Sequence, residues 1–346
     1  MENQHRLVMI KNESKFLLSI CTPTYNRAEL FQKSLDILLP QIAKYRDKVS
    51  MHISDNASTD NTETMIREMS CKYNVSIDYY RQSENIGLER NYAKATSMSD
   101  GKYTYVLCDD DILAPNFLQT IIEYLDTDEE YGLIHFNWLH ADSQYNCFER
   151  IIQDRIYTKD TYMTVQKFWQ TVTASPDYSS AVIFNSKVWN YGVCQADEYD
   201  GGGFWGLSRI VKGSYIFNKT CIYHYFPLLI ERSAGRSYQP YSPYYNFVDL
   251  CKIFRQNDTS VYELWRKALA YSPFMLEDVS LDTSFYREHR DEMKEFLTDE
   301  QLKLYDYIIN NRNPKSAYKK WVLRRRMMRR IHKVWDCIIN HHSYYE

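Results

Sequence analysis

Lys102-Tyr103-Thr104-Tyr105-Val106-Leu107-Cys108-Asp109-Asp110-Asp111-Ile112-Leu113-Ala114-Pro115 sets an apolar run directly against three consecutive carboxylates. The run from 102 to 108 has the length and composition of a buried strand, and the acid triplet stands at its carboxyl end. Adjacent Asp side chains raise one another's pKa and resist burial. A divalent cation removes that conflict, because it supplies positive charge and prefers oxygen ligands. The competing reading is a solvated acidic turn capping a helix that opens at Pro115.

Working outward, residues 16–21 (FLLSIC) form a second apolar run, ended by Thr22-Pro23-Thr24-Tyr25-Asn26-Arg27. A helix follows, with Leu30, Leu35, Leu38 and Leu39 near helical spacing. The pattern then repeats: a strand at 49–54, the polar loop DNASTDNT, a helix over 62–73 capped by Thr62 or Asn61, and the strand VSIDYYRQ. Next come the loop and helix ENIGLERNYAKATSMS, and then the opening segment itself. Strands alternating with helices predict βαβ units and a mostly parallel sheet, in which ligands gather at the carboxyl ends of the strands. All four polar loops, at 23–27, 55–60, 85–90 and 109–111, therefore fall on one edge. Farther on, the pattern predicts a helix over about 115–126 and a strand over 131–140. A further apolar segment at 179–189 precedes the Gly-rich ADEYDGGGFWG, a helix through about 212, and runs at 214–219 and 221–226. Residues 239–346 read as mostly helical, so the expected division is 1–238 and 239–346.

The composition fits this plan. The 346 residues carry 42 Lys+Arg against 45 Asp+Glu, with 44% apolar and 25% charged residues, which excludes a disordered, collagen-like or membrane-spanning chain. Ten Gly and nine Pro are too few for the many tight turns of an all-β sandwich. The 31 Tyr suit stacking on sugars or bases, but aromatics mostly pack. Eight Cys without a C-x-x-C pair, behind a polar opening segment with no apolar leader, predict free thiols in a reducing cytoplasm. Neither a P-loop nor a G-x-G-x-x-G fingerprint occurs, so a nucleotide would be held by a metal and side chains.

Ser19-Ile20-Cys21-Thr22-Pro23-Thr24-Tyr25-Asn26-Arg27, Ser54-Asp55-Asn56-Ala57-Ser58-Thr59-Asp60, Asn85-Ile86-Gly87-Leu88 with Arg90-Asn91, and Asp109-Asp110-Asp111 with Pro115 occur in this order. Together they resemble the family 2 glycosyltransferases across residues 16 to 140. The resemblance implies the GT-A fold, an α/β architecture with a Rossmann-like, mostly parallel central sheet flanked by helices, here with a helical C-terminal extension. It implies an inverting transfer from a nucleotide-diphosphate sugar to a hydroxyl of a glycan or lipid-linked acceptor, with Mn2+ or Mg2+ as cofactor.

Placed on this chain, the resemblance puts Pro23, Thr24 and Tyr25 along the base and ribose, with Arg27 closing that turn. Asp55 would accept a hydrogen bond from the base, with capping of its own loop as the alternative, and Asp60 is read as a loop cap only. Asn85 and Arg90 would meet ribose or phosphate. Members often write the metal motif as Asp-x-Asp-Asp before an Ile and a Pro. Aligning on Ile112 and Pro115 puts Cys108 at the first Asp, which makes Asp109 the ribose partner and Asp110 the metal ligand, with Asp111 as the alternative ligand. The base that deprotonates the acceptor falls to Asp200, then Asp197, in the Asp197-Glu198-Tyr199-Asp200-Gly201 segment. His224 would complete a metal shell or contact phosphate, against the reading of a packed histidine. Arg232 and Arg236, in Glu231-Arg232-Ser233-Ala234-Gly235-Arg236-Ser237, resemble the loop that closes over the diphosphate.

From Arg312 to Glu346 there are ten Lys/Arg and two Asp/Glu, which leaves residues 1–311 with 32 against 43. Trp321, Val322, Met328, Ile331 and Trp335 recur at roughly helical spacing among these cations, predicting an amphipathic helix on anionic lipid or a solvated helix packed on the protein. An acidic body argues against nucleic acid as a partner. The expectation is a cytoplasmic enzyme of bacterial surface polysaccharide synthesis, peripheral on the membrane. Two other classes stay open at this point: a nucleotidyltransferase, which would release pyrophosphate, and a carbohydrate- or membrane-docking protein without turnover.

Overall fold

A computed structural model describes residues 14–142, 145, 148–150, 159–172, 179–193, 206–232, 242–270, 273–325 and 327. The chain divides into two compact units, 1–239 and 240–346. In the first unit the chain runs β1 (Phe16–Thr24), α1 (Ala28–Lys44), β2 (Val49–Asp55), α2 (Thr62–Tyr73), β3 (Ile77–Arg81), α3 (Leu88–Ser97) and β4 (Gly101–Val106). It continues through β5 (Ile112–Leu113), α4 (Phe117–Leu125), β6 (Leu133–Ala141), β7 (Phe148–Arg150), β8 (Thr161–Met163) and α5 (Val165–Thr171). β9 (Val182–Asn185), α6 (Ser186–Tyr191), α7 (Leu207–Phe217) and β10 (Cys221–Arg232) complete it.

Among the described residues all ten strands join one sheet, ordered β3-β2-β1-β4-β9-β6-β10-β5, with β7 on β6 and β8 on β10. β1 pairs in parallel with β2 and β4, and β2 with β3. β9 lies antiparallel between β4 and β6, and β10 runs parallel to β6. The strands β1, β2, β3, β4, β6 and β10 therefore all point one way, and their carboxyl ends share one edge, as the α/β reading requires. β2 is buried at every position, as expected of a parallel strand covered on both faces.

The pattern of the helices follows their burial. In α1, Phe31, Leu35, Leu38, Leu39 and Ile42 form the buried stripe on the sheet. Gln41 on the same helix donates to the Ala114 carbonyl at 3.0 Å and accepts from the Leu118 N–H at 3.0 Å, which ties down the segment just after the acid triplet and the start of α4. Gly101 opens β4 where a Cβ would stand 2.6 Å from the Ser19 nitrogen, so only glycine lets the two strands meet there. The apolar segment 179–189 supplies both a strand and a helix: after Val182–Asn185 the Asn185 side chain accepts from the Lys187 N–H and starts α6. Likewise α7 runs on to Phe217, past the expected end near 212.

The second unit is helical in its described residues: Ser242–Asn257, Thr259–Ala270, Pro273–Leu281, Thr283–Glu288, Arg290–Lys294, Asp299–Ile309 and a helix over 314–325. Phe247, Leu250, Phe254, Trp265, Leu276, Tyr286 and Ile308 are among its buried side chains. Thr298 and Gln301 form a capping box at the start of the Asp299–Ile309 helix.

Candidate functional site

The loops that leave β1, β2 and β3 are stitched to one another by side chains. Asn26, at φ +52°, donates its N–H to Ser58 Oγ at 2.9 Å and accepts the Thr59 N–H at 2.7 Å on its side-chain Oδ1. Asp60 accepts the Ala28 N–H at 3.1 Å and the Thr62 N–H at 3.1 Å, which places a carboxylate over the amino ends of α1 and α2. Asn56 accepts from the Ile86 N–H and donates to Asn85 Oδ1, both at 2.8 Å. Buried Asn91 donates to the Ser54 carbonyl at 2.9 Å and accepts from its hydroxyl at 2.8 Å.

Onto this frame the β4 loop brings the acid triplet, with Asp109, Asp110 and Asp111 all buried. Thr24, at the end of β1, donates to Asp109 Oδ2 at 2.8 Å, and Arg27 donates to Asp109 Oδ1 at 2.8 Å. The same guanidinium nitrogen lies 3.2 Å from Asp110 Oδ2. From the end of β10, Arg232 Nη1 reaches Asp110 Oδ2 at 3.5 Å, and the Arg232 N–H reaches Asp111 Oδ1 at 3.4 Å. The Tyr145 hydroxyl donates to the Asp110 carbonyl. Burial pushes the Asp109 carboxyl up to about 6, opposed by the Arg27 guanidinium and reinforced by Asp110, while Asp109 raises Arg27 and holds it cationic. Two guanidiniums thus balance part of the charge of three buried carboxylates.

The structure brings together Thr24, Arg27, Asp109, Asp110, Asp111 and Arg232. Pro23 lies within β1, one residue before Thr24, and Tyr25 is 40% exposed beside them. Asp55 is fully buried and holds its own loop: it accepts the Ser58 N–H at 2.9 Å and the Tyr79 hydroxyl at 2.5 Å. Asn85 accepts from Asn56 and from the Gly87 N–H, and Arg90 is exposed in the first turn of α3. His224 is not brought to the cluster. It sits eight residues before Arg232 on β10, with Nδ1 at 2.8 Å from the Tyr124 hydroxyl and 3.0 Å from Asp160, and burial holds its ring below the usual imidazole value. Asp197, Asp200 and Arg236 lie outside the described residues.

Residues 19–190 match the family described as Glycosyl transferase family 2. Over 243 residues the chain is 30% identical to the abequosyltransferase RfbV of Salmonella typhimurium, a match covering 64% of this chain and 68% of that relative. The chain belongs to glycosyl transferase family 2. The uncharacterized glycosyltransferase MG025 of Mycoplasma genitalium is 30% identical over 123 residues, 35% of this chain and 41% of its own length. Among solved structures, S. aureus TarS 1–349 in complex with UDP-GlcNAc superposes with a TM-score of 0.62 at 12% identity, over 89% of this chain and 92% of that one. At that identity the likeness is one of fold, and it confirms the GT-A architecture expected from the loop motifs.

In this family 2 member the motifs quoted from the sequence also act as scaffold. Asn56, Asn91 and Tyr79 hold the loops and were given no role from sequence, although Asn56 and Asn91 stand inside the quoted motifs. Tyr145 left no signal, being one of 31 tyrosines on a segment past the last motif.

Proposed function

We propose that this family 2 chain transfers a sugar, with inversion, from a nucleotide-diphosphate sugar to a hydroxyl of a glycan or lipid-linked acceptor in bacterial surface polysaccharide synthesis. The observation that carries this reading is the meeting of Thr24, Arg27, Asp109, Asp110 and Arg232, from the ends of β1, β4 and β10, at one edge of the sheet. That edge is where an α/β sheet takes its ligands. The relationship to a Salmonella abequosyltransferase supports the polysaccharide setting.

The donor set fits Mn2+ or Mg2+. It consists of carboxylate oxygens, and Asp110 Oδ2 already faces positive charge on two sides. Among the described residues no three His, Cys, Asp or Glu side chains form a ready metal cage. An ion of this kind is commonly held by one or two carboxylates, with water and phosphate filling the remaining positions. Asp110, with Asp111 beside it, would hold the ion, which when bound offsets the charge of a departing diphosphate. Arg27 and Arg232 offer N–H donors to the phosphates, with Arg236 following Arg232 along the chain, and exposed Tyr25 offers a stacking face. Asn85 and Arg90 are proposed for ribose and phosphate, and Asp200, then Asp197, for deprotonating the acceptor hydroxyl.

Of the apolar positions expected on the basic tail, Trp321 and Val322 are half-buried, and Met328, Ile331 and Trp335 lie outside the described residues. The helix over 314–325 instead exposes Leu323, with exposed Met327 four residues on, among exposed Lys319, Lys320 and Arg324. We assign this face to an anionic membrane surface, which would bring the enzyme to a lipid-linked acceptor. Among the described residues no helix is long and apolar enough to cross a membrane.

The test is release of nucleoside diphosphate from UDP-, GDP-, dTDP- and CDP-sugars with Mn2+. The wild type should release it from one donor class. Asp110→Ala should lose roughly a hundredfold or more in rate, on the scale of removing one transition-state charge contact, while melting like the wild type. Undiminished release by the variant would remove Asp110 from the site, and pyrophosphate as product would turn the reading to nucleotidyl transfer.

A further inference from the structure

Tyr145 stands three residues past Asp142, whose carbonyl accepts the Tyr145 N–H at 3.0 Å. Its φ is +62°, a left-handed backbone that a bulky aromatic residue adopts at a cost and that persists where the surroundings fix it. The surroundings here are particular. The hydroxyl donates to the Asp110 carbonyl, and the Lys33 ammonium lies 5.7 Å from the ring centroid. β6, the strand that leads into this turn, ends at Ala141, which pairs with Arg232 on β10. The tyrosine is therefore delivered to the acid triplet by the same strand pair that delivers Arg232.

We propose that Tyr145 is a positioning residue for this site: its hydroxyl fixes the peptide between Asp110 and Asp111, and thereby the direction in which both carboxylates face Arg232. This rests on the donor-binding reading above. A peptide free to rotate at that point would let the Asp110 carboxylate turn toward Arg27 alone, which already pairs with Asp109. Holding the carbonyl from the other side keeps Asp110 Oδ2 between the two guanidiniums, at 3.2 and 3.5 Å. A left-handed tyrosine, rather than a glycine, at the turn is explained if the ring and hydroxyl are needed where that backbone puts them.

Calorimetric titration of UDP, GDP, dTDP and CDP into the full chain, with and without Mn2+, tests the proposal. Tyr145→Phe keeps the ring and removes the donor, while Tyr145→Gly suits the left-handed backbone and removes both. The wild type should bind one of the nucleotides. Tyr145→Phe should bind it roughly tenfold more weakly, the effect of losing one hydrogen bond to a buried acceptor, with its melting temperature held. Equal affinity in Tyr145→Phe overturns the proposal. Should Tyr145→Phe melt early, Tyr145→Gly decides: weakened binding by a variant that melts like the wild type supports positioning, and wild-type affinity overturns it. A wild type that takes up none of the four nucleotides overturns the donor reading and this proposal with it, a failure distinguished by arising before any substitution.

Discussion

His135 on β6 is buried, with its ring stacked on Tyr223 at 5.6 Å and 9° and edged by Trp138 and Phe168. Among the described residues neither ring nitrogen has a hydrogen-bond partner. Burial alone pushes this imidazole down to about 3, against about 6.5 in an unfolded chain. The sign follows directly: between those values the unfolded chain binds a proton that the folded chain refuses, so stability falls as pH drops below about 6.5. Each pH unit costs about 1.4 kcal/mol, which makes about 2 kcal/mol at pH 5. His135→Leu, near in volume and free of polar atoms, removes the penalty. Melting followed by circular dichroism should find the leucine variant gaining on the wild type by about 4–8 °C more at pH 5 than at pH 8. Comparing the two pH values cancels any packing error in the substitution, since that error does not titrate. A gap independent of pH would refute the reasoning, because it would mean that the native ring accepts its proton.

Two further outcomes are expected. Arg27→Ala leaves Asp109 and Asp110 buried without their nearest cation; with about a third of the arginine side chain exposed, the loss should be about 2 kcal/mol, below that of a fully buried pair. In thermal melts Mn2+ should raise this variant more than the wild type, and an equal rise would argue against a cation at Asp110. Replacing Lys319, Lys320 and Arg324 together by Ala should weaken binding to anionic vesicles by roughly a hundredfold, at about 1 kcal/mol per cation. Co-sedimentation that is unchanged, or equal on zwitterionic vesicles, would remove the membrane role.

The alternation of short apolar runs with helical spacing made the first half of the fold legible, because the inner parallel strands β1, β2 and β4 are largely buried, whereas the edge strand β3 is partly exposed. The carboxyl-end loops were legible as polar segments between apolar runs, although many of their Asp and Asn side chains turn out to tie the loops to one another. The second half was harder. β9 contributes four residues between two longer strands, and Asn185 turns the chain into α6 where apolar content alone predicts more strand. His224 drew notice as a histidine after an apolar run, but spacing along β10 sets it far from Arg232, and only the pairing register reveals that. Tyr145 and His135 were invisible because their importance lies in what surrounds them, which no local pattern encodes.

Cys108 is the residue that the motif resemblance sets at the first Asp of the acidic motif, and its surroundings suit a neutral side chain. Its N–H donates to Ser180 Oγ at 2.9 Å, its sulfur lies 3.5 Å from Ser179 Oγ, and burial pushes the thiol well above its usual range, so it carries no charge. A carboxylate at that position would add a fourth negative charge to a cluster whose nearest cations are Arg27 and Arg232. With a neutral thiol there, the Arg27 and Arg232 guanidiniums pair directly with Asp109 and Asp110, and Asp111 is met by the Arg232 N–H. Asp109 is already divided between Thr24 and Arg27, and Asp111 accepts from the Arg232 backbone. Asp110 has its carboxylate oxygen facing both guanidiniums while its carbonyl is held by Tyr145, and this is why the proposed metal role falls to Asp110 rather than to its neighbours.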